Sequence, residues 1–200
     1  MRILVKGNNE QFELIQSKVG LVECEIVQYS GTVTKADLYI DFGFEEEDSP
    51  FLTISDKVVL VNNVIGKEMP AHFTKFNGWR TFAERTVFEI ASTNETALLK
   101  TEKILQTLGW KYFIAPNEPG FIAARTVAMI VNEAYFALED EVSSKNEIDT
   151  AMKLGTNYPY GPFEWSEKIG LNKIAQLLVK LSKNDKRYTA SLLLLKEANL

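Results

Sequence analysis

Cysteine and histidine are almost missing from this 200-residue chain, with Cys24 and His72 the sole examples. One cysteine cannot close a disulfide within the chain, so stability must come from a packed core, and a reducing cytoplasm is the expected setting. No pair of these residues falls at a metal-ligand spacing, and no metal is expected. Long apolar runs are lacking too. Nothing approaches the roughly twenty residues that span a bilayer, and MRILVKGNNE has no signal-peptide architecture, so no membrane association is expected. Basic charge is scarce: 22 Lys and Arg stand against 27 Asp and Glu, and the acidic excess falls wholly within residues 1–118, where 12 basic face 17 acidic residues. Phosphate would be repelled, which excludes nucleic acid as an expected partner.

What is present suits a globular protein of one large or two small domains, with 46% hydrophobic and 24% charged residues. Arg2–Lys6 is a short apolar run broken at Gly7-Asn8-Asn9, and Phe12, Leu14 and Ile15 suggest a helix over Glu10–Lys18. Further strand candidates are Val22–Gln28, Ala36–Phe42 and Lys57–Val61, with Cys24 at a buried strand position. Strands alternating with crossovers suggest a mainly parallel sheet, either of the dinucleotide-binding type or a generic α/β sheet. The four acids Glu45–Asp48 read as solvated surface, since consecutive acids on a turn lack ligand geometry.

From Pro119 onward the chain reads as helical. Ile122, Met129, Ile130, Ala134 and Ala137 space as one buried helical face, and Ser144 with Glu147 forms a capping box opening a second helix. Gly155 is placed to end that helix, and Pro162 suits the first position of a third. Asn172 reads as the N-cap of a helix burying Ile174, Leu177, Leu178 and Leu181. Asp185 starts the last helix, whose four successive leucines need two apolar surfaces.

The order GFIAAR, NEA, EIDTAMKLG, YPYGPFEW, IGL closely resembles the C-terminal helical domain of the 3-hydroxyacyl-CoA dehydrogenase family, in one register from Pro119 to Leu171. ADLYIDFGFEEEDSP, KVVLVNN and VFEIAST followed by ETALLKTEKILQTLGW are similar to its nucleotide-binding half, with the segment between the second and third strands shorter. The resemblance implies an α/β plus all-α architecture. A truncated Rossmann-like parallel sheet domain would occupy residues 1–117, and a helical dimerisation domain residues 118–200. It also implies a homodimer, a setting in fatty acid metabolism, NAD as cofactor and an acyl-CoA-like ligand.

A dinucleotide turn needs three glycines, for the tight turn, the approach to pyrophosphate and helix packing. Here those places hold Gly7, Asn9 and Phe12, and Glu10 adds a carboxylate at the helix start, where pyrophosphate would sit. Gly7, Asn8 and Gln28 are the candidates left for cofactor contact, Gln28 at the ribose position; Gly7 also reads as a plain strand-ending turn. The family's chemistry, by resemblance, uses a His base oriented by a Glu, with Ser and Asn binding the reacting oxygen. The register sets Arg80 at the His, Glu89 at the Glu, Val64 at the Ser and Ala124 at the Asn, with Asn62, Asn63 and Arg80 lining the substrate cleft. Arginine does not release its proton, so of the four roles only that of Glu89 is kept, and NAD binding is expected to be weak or absent. Arg80 reads either as an ion-pair partner of Glu89 or as a fork for an anionic ligand. His72 reads as a surface or hinge residue. Three functions fit: a divergent family member keeping an acyl-CoA-like ligand without NAD chemistry, a non-enzymatic dimeric scaffold or partner-binding subunit, or an active dehydrogenase with a rearranged site.

Overall fold

The computed structural model describes residues 1–20 and 22–200, which form two compact units, Met1–Phe121 and Ile122–Leu200. The first contains β1 (Arg2–Lys6), α1 (Asn9–Lys18), β2 (Glu25–Gln28), β3 (Leu38–Asp41), β4 (Val58–Asn62), β5 (Thr74–Phe76), β6 (Val87–Ala91), α2 (Glu95–Thr107) and β7 (Lys111–Ile114). Its strands form one Rossmann-like sheet in the order β2-β1-β3-β4-β5-β6-β7. The strands β1 to β5 run parallel, β6 turns antiparallel to β5, and β7 follows β6. The central strands β3 and β4 are buried at every position, as expected where a parallel sheet is covered on both faces.

One face is covered by α1 and α2, whose Ile15, Leu105 and Leu108 pack with Ile3, Ile40, Leu60, Phe88 and Trp110. The other face, with Leu4, Tyr39, Val59 and Val61, is covered by Phe44, Phe51 and Phe73 from the loops flanking β4. Aromatic rings on short loops here do the work that helices do in longer crossovers. Cys24 lies just before β2, not within a strand, and is half-buried because β2 is an edge; burial still pushes its thiol pKa up.

The second unit contains α3 (Ala123–Glu139), α4 (Lys145–Thr156), α5 (Pro162–Ile169), α6 (Leu171–Ser182), a 3-10 turn at Lys186–Tyr188 and α7 (Leu192–Glu197). The buried stripe of α3 runs through Ala124, Val127, Ala128, Val131, Ala134 and Tyr135; of the face expected Ala134 is buried, Met129, Ile130 and Ala137 are half-buried, and Ile122 is exposed. The NEA motif has a structural role. Its Asn132, 2% exposed, donates to Thr189 O at 2.9 Å and accepts from Ser191 N at 2.9 Å, holding the segment that leads into α7. Tyr135 Oη donates to Glu197 at 2.7 Å, and Lys145 Nζ reaches both oxygens of the same carboxylate at 2.9 and 2.7 Å.

Three helix boundaries differ from the sequence reading. α4 runs past Gly155, and the left-handed residue is Asn157, φ 56°, whose short polar side chain tolerates that region. Gly170, φ 102°, both ends α5 and begins α6, so Asn172 lies inside α6 and its amide donates to Ala198 O at 3.0 Å. Asp185 caps only the 3-10 turn; α7 begins later, capped by Ser191. Its four leucines split as expected between environments, Leu194 fully buried and Leu192 79% exposed.

The EIDTAMKLG and YPYGPFEW motifs are joined by one carboxylate. Asp149 accepts from Phe163 N at 2.8 Å and Glu164 N at 3.2 Å, supplying the first turn of α5 with the acceptors it lacks; desolvation raises its pKa. Gly161 is required because Asp149 occupies the space a Cβ would fill. Gly161→Ala should therefore destabilise the chain by about 1–3 kcal/mol, read from urea unfolding followed by circular dichroism. The capping box titrates as well. Hydrogen bonds from Ser143 and Ser144 hold the Glu147 carboxyl at a pKa of about 2, below its unfolded value. Its contribution is thus present above the ordinary carboxylate range and is lost as pH falls toward about 2. Glu147→Gln should flatten that part of the acid dependence of the melting temperature.

Candidate functional site

The first turn is closed on itself. Asn8 is the N-cap of α1; its Oδ1 accepts from Gln11 N at 2.9 Å, and Gln11 Oε1 accepts from Asn8 N at 2.9 Å. Each side chain satisfies an amide that the helix start would otherwise present to an anion. Gln28 Nε2 donates to Gly7 O and to Asn9 Oδ1, both at 3.3 Å. A Cβ on Gly7 would lie 2.7 Å from Gln11 Oε1 and 3.2 Å from the Phe42 ring. Gly7, Asn8 and Gln28 are thus brought together, bonded to one another's neighbourhood. Beneath them Lys6 Nζ meets Asp41 at 3.5 Å, Glu47 at 3.0 Å and Asp48 O at 3.3 Å. Burial raises the Asp41 pKa against the pull of Ser49 and Lys6.

A second polar group forms at the carboxyl ends of β3, β4 and β5. Asn62 Nδ2 donates to Phe42 O at 3.2 Å and its Oδ1 accepts from Gly78 N at 3.0 Å. Asn63 closes its own turn, accepting from Gly66 N and Lys67 N at 3.0 and 2.7 Å and donating to Lys67 O at 2.8 Å. Val64 is fully buried, and its carbonyl accepts from Gly120 N at 2.7 Å. Ala124 belongs to α3, in the second unit.

Glu89, on β6, faces Asn77. The backbone pairs at Asn77 N to Glu89 O, 3.0 Å, and Asn77 Nδ2 donates to Glu89 Oε2 at 2.8 Å. Arg80 points elsewhere, to Glu10 at 3.4 Å and Glu84 at 3.9 Å, and is half-exposed. The pairing of Arg80 with Glu89 considered from the sequence is therefore replaced, because four residues beyond the end of β5 the chain has already turned away. Lys75, 4% exposed, donates to Glu118 O at 3.0 Å and lies 4.9 Å above the Phe121 ring. His72 is a packing residue on this geometry, its Nε2 2.9 Å from Ile54 O and its ring edge-on to Phe73. Glu45 departs from the solvated reading of the acidic run: it accepts from Ile65 N at 2.6 Å and from the Trp79 indole at 2.8 Å, clamping the β3 loop.

Comparison with known proteins bears on this arrangement. Residues 120–199 match the family model described as 3-hydroxyacyl-CoA dehydrogenase, C-terminal domain. The 3-hydroxyadipyl-CoA dehydrogenase of Escherichia coli K12 is 32% identical over 180 residues, 88% of this chain and 34% of that protein. The chain is related to the 3-hydroxyacyl-CoA dehydrogenase family. A 3-hydroxybutyryl-CoA dehydrogenase of Clostridioides difficile is 42% identical over 82 residues, 40% of this chain and 29% of the relative. The fold of (S)-3-hydroxybutyryl-CoA dehydrogenase PaaH1 from Ralstonia eutropha superposes with a TM-score of 0.73 at 18% identity, over 98% of this chain and 92% of that one. The chain spans about a third of the length of the curated family members it matches.

Within this family fold, sequence reasoning missed Asn77 and Glu45. The Asn77-Gly78 pair is a turn signal, but the antiparallel pairing of β5 with β6 that sets Asn77 against Glu89 closes a longer excursion than that signal describes. The loop that follows is strained at Thr81, a β-branched residue at φ 75° whose buried Oγ1 has no hydrogen-bond partner among the described residues. Thr81→Gly should relieve this and stabilise the chain by about 1 kcal/mol, measured by the urea midpoint at unchanged slope.

Proposed function

We propose that this chain is a divergent member of the 3-hydroxyacyl-CoA dehydrogenase family that binds an acyl-CoA-like ligand without NAD-dependent oxidation. The observation that carries this reading is the self-capped first turn. A pyrophosphate needs amides at the helix start and open space above the glycine. Here the Asn8 and Gln11 amides are taken by each other's side chains, and Gln11 and Phe42 fill the space over Gly7. Glu10 adds a carboxylate in the same turn. These residues do not fit a dinucleotide in that seat.

The acid–base side supports the same reading. Glu89 bonds to an amide, Asn77, which has no basic nitrogen to take a hydroxyl proton. The pair is suited to orienting a hydrogen-bonding ligand group. A role in fatty acid metabolism within a reducing cytoplasm goes with this reading. A second reading, a homodimeric scaffold or partner-binding subunit, is favoured by α4, where Ala151, Leu154 and Gly155 are exposed, Leu154 to 82%.

Thermal-shift measurements on the whole chain separate these. Acyl-CoA esters should raise the melting temperature, whereas NAD and NADH should leave it unchanged. Stabilisation by NADH, with turnover of acetoacetyl-CoA, would return the chain to active dehydrogenases; no response to any of them would favour the scaffold.

A further inference from the structure

The amino-terminal edge of the sheet, opposite the edge that carries Asn62 and Gly7, holds a groove of its own. Lys57, just before β4, and Lys100, on α2, line both of two adjoining hollows, with Val58 between them. The smaller, about 80 Å³, is completed by Ser55, His72 and Thr96. The larger, about 560 Å³, runs on past Asp37, Asp56, Lys103 and Ile104.

The acidic excess of residues 1–118 does not extend into the smaller hollow. Its lining has two ammonium groups, an imidazole and two hydroxyls, and no carboxylate among the described residues. Lys57 is fixed at the junction: its Nζ meets Asp37 Oδ1 at 3.3 Å, and the same carboxylate accepts from Arg2 N at 3.0 Å. Lys100 and Lys103 are exposed and make no ion pair among the described residues. Like charges lining one hollow repel each other until an anion lies between them. The space is well above the roughly 10–15 Å³ that one water needs, so it has room for the oxygens of a phosphate.

The larger hollow has a different chemistry. Asp56 is an exposed acceptor, Lys103 a donor, and Val58 and Ile104 give an apolar floor. Hydroxyl groups suit an acceptor and a donor placed together, whereas a second phosphate would be repelled by Asp56.

We infer that this groove is a second ligand site, which takes a single phosphate ester carried on a hydroxylated body. Lys57 and Lys100 hold the phosphate, and Asp56 accepts from a hydroxyl of the body. A sugar phosphate and a nucleoside monophosphate share this chemistry.

Calorimetric titration of the full chain with ribose 5-phosphate, AMP, inorganic phosphate and ribose tests the site. Ribose 5-phosphate should bind about tenfold tighter than inorganic phosphate, and ribose should not bind. AMP binding tighter than ribose 5-phosphate assigns the body to a nucleotide, and the reverse order to a free sugar phosphate; both support the site. Lys100→Gln, at an exposed position, should weaken every phosphate about tenfold, Asp56→Asn should erase the advantage of ribose 5-phosphate over inorganic phosphate, and Lys111→Gln on β7 should change nothing. No binding of ribose 5-phosphate, binding of ribose as tight, indifference to Lys100→Gln, or an equal loss with Lys111→Gln would overturn the inference. The acyl-CoA reading is tested separately, since its esters should bind the Lys100→Gln chain as they bind the parent. Displacement of ribose 5-phosphate by an acyl-CoA ester would merge the two sites and overturn the second.

Discussion

The amide of Asn62 is the tie on which the carboxyl edge of the sheet depends. From the end of β4 it donates to the carbonyl of Phe42, just past β3, and accepts from the amide of Gly78, just past β5. The residue is 1% exposed, so water is no substitute, and losing its amide would cost the Phe42 carbonyl a buried donor at about 1–3 kcal/mol, while the Gly78 amide would keep only its bond to Phe76 O. The fit is close: a Cβ on Gly78 would come within 2.9 Å of Asn62. With three strand ends fixed in this way, the loop carrying Asn77, Trp79 and Arg80 starts from a defined point. The side chain facing Glu89 is set by that start and not by the number of residues that follow.

The same constraint explains the division of labour around the sheet. A parallel sheet normally meets helices on both faces, but here one face is closed by rings carried on loops, Phe44, Phe51 and Phe73. Those loops need anchors of their own, and charged groups supply them. Glu45 holds Ile65 and Trp79, Lys6 holds Glu47 and Asp48, and Lys67 donates to Phe44 O and Glu47 O at 2.9 Å each. An acidic run that reads as surface is, at Glu45, a half-buried fastener.

The helical unit was legible in the sequence because its signals are local. Ser144 and Glu147 sit three apart and cap as their types require, and Pro162 opens α5 where its missing amide costs nothing. Boundaries slipped where two residues compete for one role, as Gly155 with Asn157 and Asn172 with Gly170. The sheet unit was legible in its first four strands, each an apolar run bounded by turn residues. It was not legible at β5, whose three residues carry too little pattern, and so the reversal at β6 went unread. Glu89 was reachable from resemblance, whereas its partner Asn77 is defined by pairing across a ten-residue excursion, which sequence spacing does not encode. Likewise the first turn shows in sequence only what it lacks; that Asn8, Gln11 and Gln28 fill the space is a property of rotamers.

The far end of the chain carries more than its length implies. Glu197 alone receives both the Tyr135 hydroxyl and the Lys145 ammonium, and Asn172 reaches Ala198 one residue later. Removing Glu197 would take from the Tyr135 hydroxyl and the half-exposed Lys145 ammonium the carboxylate they share. Substitutions at Glu197 therefore act on α3 and α4 together, although the residue belongs to the last helix.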